Sequence, residues 1–238
     1  MPLSSAPDWP LNTFMAGLDP ATGQEFMALS LPAHRKTGDI LIRQGETDDR
    51  RVFLLRSTDP RRIALVKVTK YLENGEQLLL GIRVSGDLVG EMASVRDSPR
   101  VATVTLCSDC LVYAIPDAAF TAFIERHPKA SRGVTRLMAD RLDWANRRRE
   151  GMSGYDVSTR LATVLIELAD RHGSQVERGL DLGVPLTQVE LGRLIGAGED
   201  AVGNAMRTMN ERGLAQSNYG RVIILDLPGL RNLYRQSH

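Results

Sequence analysis

PLTQVELGRLIGAGEDAVGNAMRTM, residues 185–209, is the stretch on which the reading of the chain turns. It divides into two short helices around Gly196-Ala197-Gly198. Thr187 and Glu190 form a T-x-x-E capping box just ahead of an apolar run. The Thr hydroxyl takes the Glu190 N–H, and the Glu carboxylate takes the Thr187 N–H. Leu191, Leu194 and Ile195 share one face of the first helix. Val202, Met206 and Met209 share one face of the second, which leaves Glu199, Asp200, Gly203, Asn204 and Arg207 outward. Two short helices around a glycine-containing turn are the helix-turn-helix pattern, whose second helix can enter the DNA major groove. A plain helical hairpin has the same periodicity, so the rest of the chain must decide.

The 238 residues suffice for one large or two ordinary domains. With 42% hydrophobic and 25% charged residues the composition is that of a globular chain. No apolar run approaches the roughly 20 residues needed to span a bilayer. The opening MPLSSAPDWPLNTF lacks the basic-then-apolar order of a leader. Cys107 and Cys110 suit a reduced cytoplasmic protein. A lone C-x-x-C without a second ligand pair predicts neither metal nor redox chemistry. No nucleophile–base pair appears either, so an enzyme is not expected.

Upstream, the period changes from helical to strand-like. Asp19-Pro20 favours a turn and helix start, with Phe26, Leu29 and Leu31 as core. Strands are expected at 39–43, 52–56, 63–70, 76–84, 103–106 and 111–115, separated by Gly38-Asp39, Gly45-Glu46, Asn74-Gly75 and Gly86-Asp87. Asn74-Gly75 predicts a type I′ hairpin. Many short strands at regular spacing indicate a barrel or sandwich. Among them lies GEMASVRDSPRVAT (90–103). Gly90 and Glu91 open a short helix whose first N–H groups can hold an anion, and Arg100 offers a planar bidentate fork for phosphate. Glu91 can accept from a ribose hydroxyl. The same residue types also occur in an ordinary surface turn.

A helix is expected from Pro116-Asp117 to Arg126. Pro128 opens a longer amphipathic one to about Met152, carrying Val134, Leu137, Met138, Leu142 and Ala145. Arg147-Arg148-Arg149 reads as a solvated face. Gly151–Gly154 reads as a hinge and Asp156 as the cap of a helix to Arg171. Residues 173–182 read as a loop or hairpin. GLAQSNYGRVIIL (213–225) reads as a hairpin turning at 217–220, followed by a last helix at 227–234.

In order and spacing, GDILIRQGE (38–46), VFLLRS (52–57), GDLVGEMASVRDSPRVATV (86–104) and the helix-turn-helix resemble the CRP/FNR family of bacterial transcription regulators. The resemblance implies an α+β chain: an N-terminal jelly-roll β-barrel of the cyclic-nucleotide-binding type (1–127), a dimerisation helix and hinge (128–153), and a C-terminal winged helix-turn-helix (154–238). The segment 90–102 resembles a phosphate-binding cassette. By that resemblance Arg100 pairs with a cyclic phosphate and Glu91 with the ribose 2′-hydroxyl. Gly90, Met92 and Val101 complete the cradle. Asn146 on the long helix stands where relatives hydrogen-bond a base. Val101 and Ala145 replace residues that carry hydroxyls in cyclic-AMP-responsive relatives, and Trp144 is large enough to fill the pocket or stack on a base. The expected effector is therefore another nucleotide or weakly bound cyclic AMP, then no ligand, then haem or gas. Neither a metal nor an iron–sulfur cluster is expected, the family's N-terminal cysteine cluster being absent.

The partners implied are double-stranded DNA, a second copy of the chain and RNA polymerase, with no membrane. The DNA contacts implied are Thr187, Gln188, Gly198, Glu199, Asp200, Asn204, Arg207 and Arg221. Residues 154–238 carry nine basic and ten acidic side chains, so no net positive field supports binding. Gly198-Glu199-Asp200 and Asn204 stand where the family commonly has Ser-Arg-Glu and a second Arg. Strong binding to the family's TGTGA half-site is thus not expected. The alternative is a diverged dimeric binding module with an empty barrel and weak or altered DNA binding.

Overall fold

A computed structural model describes residues 9–59 and 62–235; residues 1–8, the start of the segment without the order of a leader, lie outside them. The contacts separate two compact units, Met1–Asp140 and Arg141–His238. In the first, a 3₁₀ turn (Met15–Gly17) and α1 (Pro20–Met27) precede β1 (Pro32–Arg35), β2 (Ile40–Ile42), β3 (Val52–Ser57), β4 (Leu65–Tyr71), β5 (Gln77–Val84) and β6 (Leu88–Val89). Then come α2 (Glu91–Arg96), β7 (Thr103–Leu106), β8 (Cys110–Ile115), α3 (Asp117–Arg126) and the start of α4 (Pro128–Gly154). Asp19 caps α1 by accepting from the Thr22 N–H at 3.0 Å, as the Asp-Pro pair predicts.

The strands pair antiparallel in two four-stranded sheets, β1-β8-β3-β6 and β2-β7-β4-β5. The closed barrel expected from the sequence is therefore not formed by pairing among the described residues. The edges include β6 and β2, two and three residues long, whose few backbone groups leave little to pair onward. β3 shows why VFLL does not alternate. Phe53 and Leu55 join Val66, Val104, Leu106 and Val112 in one core. Val52 and Leu54 join Phe14, Phe26, Phe120 and Phe123 in the other. Both faces of the strand are covered, so both are apolar. Phe26 is buried as expected, whereas Leu31 is 90% exposed.

Asn74-Gly75 departs from the type I′ expectation. Gly75 has φ 81°, but Asn74 is absent from the positive-φ residues and its side chain instead accepts from the Glu76 N–H at 3.0 Å. The I′-like pair is Tyr219-Gly220, with φ 50° and 78°.

The second unit holds the rest of α4, then α5 (Val157–His172), β9 (Ser174–Val176), β10 (Gly179–Pro185), α6 (Gln188–Ile195) and α7 (Glu199–Glu211). It ends with β11 (Ala215–Asn218), β12 (Arg221–Ile224) and α8 (Leu227–Arg235). Its sheet runs β11-β12-β10-β9. Over the expected hinge at Gly151–Gly154 the backbone is helical through Gly154, and the break in the helix falls at Tyr155-Asp156. Asp156 sets it there, its carboxylate accepting from the Thr159 N–H at 2.7 Å to start α5.

Candidate functional site

β6 delivers the chain to Gly90, whose φ of 90° turns it into α2. Ten residues on, the backbone of Arg100 is fastened to the loop after β2. Its N–H donates to Glu46 O at 2.9 Å and its carbonyl accepts from Gly45 N–H at 2.8 Å. The guanidinium turns inward, and the residue is 4% exposed. Nη1 donates to Gly90 O at 2.8 Å and Nη2 to Arg51 O at 2.6 Å. Nε is buried with no acceptor among the described residues. Burial pulls the guanidinium pKa down, while the carboxylates of Asp49, Glu46, Glu91 and Asp117 push it back up. A Cβ at Gly90 would sit 2.7 Å from Arg100 Nη1, so only glycine leaves the guanidinium its place. Glu91 follows directly, 1% exposed.

Gly90, Glu91 and Arg100 are thus brought together. Met92 is half-buried beside them in α2, and Val101 is 40% exposed. The arrangement adds two residues that carry no sequence signal. The Arg51 carbonyl is a backbone acceptor. Asp49 lies 3.9 Å from Arg100 Nη2 and pairs with Arg51 Nη2 at 2.6 Å. That pairing holds the Asp49 carboxyl below its ordinary range. A buried cation with an idle Nε, in a cradle that admits no Cβ, has the donor chemistry of a phosphate site. No cluster of three metal-ligating side chains occurs among the described residues. Burial pushes the Cys110 thiol up to about 12, which makes it inert.

On α4, within the second unit, Asn146 is exposed and Ala145 half-buried. Trp144 is 4% exposed, and the Arg148 guanidinium lies 4.1 Å from its ring centroid. Of the three arginines expected on a solvated face, Arg147 and Arg149 are exposed, Arg147 Nε donating to Glu167 at 3.0 Å, whereas Arg148 packs on Trp144.

The helix-turn-helix keeps its expected scaffold. The capping box is complete, with Glu190 N–H donating to Thr187 Oγ1 at 3.1 Å and Thr187 N–H to Glu190 Oε2 at 2.8 Å. Gly192 is required at the turn, since a Cβ there would meet Ala197 O at 2.5 Å. Leu191, Leu194, Ile195, Val202, Met206 and Met209 are all buried. Gly198 is the N-cap of α7 and gives no side-chain cap. Glu199, Asp200, Asn204 and Arg207 are exposed on α7, and Thr187 and Gln188 at the start of α6. Arg207 Nη1 donates to Asn204 Oδ1 at 3.0 Å. Arg221, expected to face phosphate, instead donates from Nε to Asp181 Oδ2 at 2.7 Å, with Nη2 on the same oxygen.

Comparison with known proteins places both units. Residues 33–127 match the cyclic nucleotide-binding domain profile, and residues 159–233 the Crp-like helix-turn-helix domain. The chain is 26% identical over 210 residues to a CRP-like cAMP-activated global transcriptional regulator of Mycobacterium tuberculosis, covering 88% of this chain and 91% of that one. It is 24% identical over 186 residues to the cAMP-activated global transcriptional regulator CRP of Salmonella typhimurium, covering 78% and 84%. The structure of CLP, a c-di-GMP responsive global regulator of Xanthomonas campestris, matches with TM-score 0.70 and 20% identity over 87% of this chain and all (100%) of that one. A CRP/FNR-family regulator of Thermus thermophilus matches with TM-score 0.67 and 22% identity over 87% of this chain. At these identities the solved structures speak for a common fold.

Proposed function

Since the chain belongs to the CRP/FNR family of DNA-binding transcription regulators, we propose that its DNA binding is controlled by a cyclic nucleotide held at Gly90, Glu91, Met92, Arg100 and Val101. The observation that carries this reading is the buried Arg100 guanidinium, seated where any side chain at residue 90 would displace it. Asp49 lies 3.9 Å from Nη2 but Nε has no acceptor among the described residues, and a phosphate oxygen would supply one. The two sheets of the first unit are then the halves of a jelly roll, and Asn146, exposed on α4, is kept as the base partner that the family resemblance implies. The cAMP-activated relatives point to the same ligand class.

The α4 stripe supports a homodimer. Leu142 lies 61% exposed on this helix, and a second copy would cover it. Ligand binding would shift the population toward the dimer that spaces two α7 helices one DNA turn apart, with Tyr155-Asp156 as the pivot. The DNA contacts proposed are Thr187, Gln188, Gly198, Glu199, Asp200, Asn204 and Arg207. Arg221 contributes once DNA phosphate competes with Asp181. Contact with RNA polymerase and a cytoplasmic location belong to the same reading. No described helix is long and apolar enough to cross a membrane. No catalytic role is proposed.

Calorimetric titration with cyclic AMP and cyclic GMP tests the ligand assignment. The wild type should bind at least one of them and Arg100→Ala neither. Equal binding by the variant would remove Arg100 from the site.

A further inference from the structure

We infer that α7 reads an adenine-centred half-site through carboxamides rather than guanine through a guanidinium. The inference rests on the DNA-binding reading above and adds the base class to it. A concavity of about 620 Å³ opens on the outward face of α7, lined among others by Gln188, Asp200, Asn204, Arg207, Asn210 and Ser217. Three of these six side chains are carboxamides, one is a carboxylate, one a hydroxyl and one a guanidinium.

The groove edge of guanine offers two acceptors, N7 and O6, and calls for a donor-only partner. The edge of adenine offers one acceptor and one donor, which a single carboxamide meets with both its atoms. Arg207 is the cation in this concavity, and it is engaged: its Nη1 donates to Asn204 Oδ1 at 3.0 Å. Because a guanidinium can only donate, the atom facing it must be the amide oxygen. Asn204 is thereby oriented with its NH₂ turned away from Arg207. Its oxygen keeps a second lone pair for adenine N6–H, and its NH₂ remains for N7.

Gln188 supports the same edge. It lies across Gly203, where a Cβ would come within 3.0 Å of its Oε1, so the missing side chain leaves room for a second carboxamide beside Asn204. Asp200, one turn earlier on α7, can only accept when ionised. It suits the cytosine or adenine amino group and repels the paired acceptors of guanine.

The test is selection of sites by the full-length protein from a random duplex pool, with cyclic AMP present and absent. Adenine should be enriched at a fixed position of each half-site. Replacing that adenine by 7-deazaadenine, which removes the N7 acceptor, should weaken binding on the order of tenfold. Asn204→Arg, a change at an exposed position, should move the preference there to guanine, with circular dichroism checking that it folds. Guanine at that position in wild-type sites, or an adenine insensitive to loss of N7, would overturn the inference while leaving DNA binding intact. Retention of no duplex in either condition would overturn the DNA-binding reading and the inference with it.

Discussion

Val101 and His172 show how single side chains set ligand response and acid stability. Val101 is 40% exposed next to Arg100 and carries no hydroxyl. If a phosphate sits against Arg100, Val101→Ser adds a hydrogen bond worth about 0.5–1.5 kcal/mol, and cyclic AMP affinity should rise roughly two- to tenfold. Calorimetry giving an unchanged constant would turn residue 101 away from the ligand. His172 is 4% exposed, with Nδ1 donating to Leu182 O at 2.7 Å, and burial pulls its pKa from 6.5 to about 4. The folded value lies below the unfolded one, so the unfolded chain takes up the proton first. The stability that depends on a neutral His172 is complete above pH 6.5 and is lost as pH falls toward 4, by up to about 3 kcal/mol. Thermal unfolding followed between pH 7 and 5 should show this loss, and His172→Gln, which keeps a donor and cannot be protonated, should flatten it. At this scale the meeting of Gly90, Glu91 and Arg100 is legible through the resemblance of residues 90–102 to a phosphate-binding cassette, since the residue types alone also fit a surface turn. Asp49 and the Arg51 carbonyl are not legible. A backbone acceptor has no residue signature, and an acidic loop usually signals only solvation.

Among the elements, those with a local start signal are readable. Asp19, Asp156 and Thr187 each cap the helix that follows, and each side chain accepts where its residue type predicts. Thr187→Ala removes the hydroxyl side of the capping box. It should cost about 1 kcal/mol and lower the melting temperature of the C-terminal unit by roughly 4–8 °C, while Thr187→Ser should restore most of it. Differential scanning calorimetry with no difference between wild type and Ala would show the cap to be idle. Elements defined by distant partners are not readable. β1 is PAHR, exposed at all four residues, and exists because β8 pairs with it from Pro32↔Tyr113 to Arg35↔Cys110. β6 is two residues long and carries no period of its own. The glycines near 151–154 suggest a hinge locally, but α4 arrives already formed and adding residues to a helix is easier than ending it. The cap at Asp156 decides the break.

At the scale of the whole molecule, charge sets what α7 can do. Nine basic residues face ten acidic ones over 154–238, and Arg221 is already matched by Asp181. If Arg193, Arg207 and Arg212 each neutralise one phosphate, log affinity should fall with log salt at a slope near −3 per protomer, about −0.9 for each phosphate. Glu199 stands exposed in the first turn of α7, where it suits the helix dipole and opposes DNA. Glu199→Gln should tighten binding to all duplexes several-fold without changing sequence preference. A preference that shifts instead, measured on two selected sites, would make Glu199 a base reader. The overall plan is legible because two family patterns lie in order along the chain. The strand pairing is not, since two sheets and one closed barrel share the same alternation of short strands and turns.

The most direct test joins the two units. Fluorescence anisotropy of a selected duplex would be followed as full-length protein is added, with and without saturating cyclic AMP or cyclic GMP, for wild type and Arg100→Ala. One of the nucleotides should tighten wild-type DNA binding at least about tenfold, a coupling in the ordinary range for two linked sites, and leave Arg100→Ala unmoved. Wild-type affinity that ignores both nucleotides, or a variant that responds equally, would contradict it.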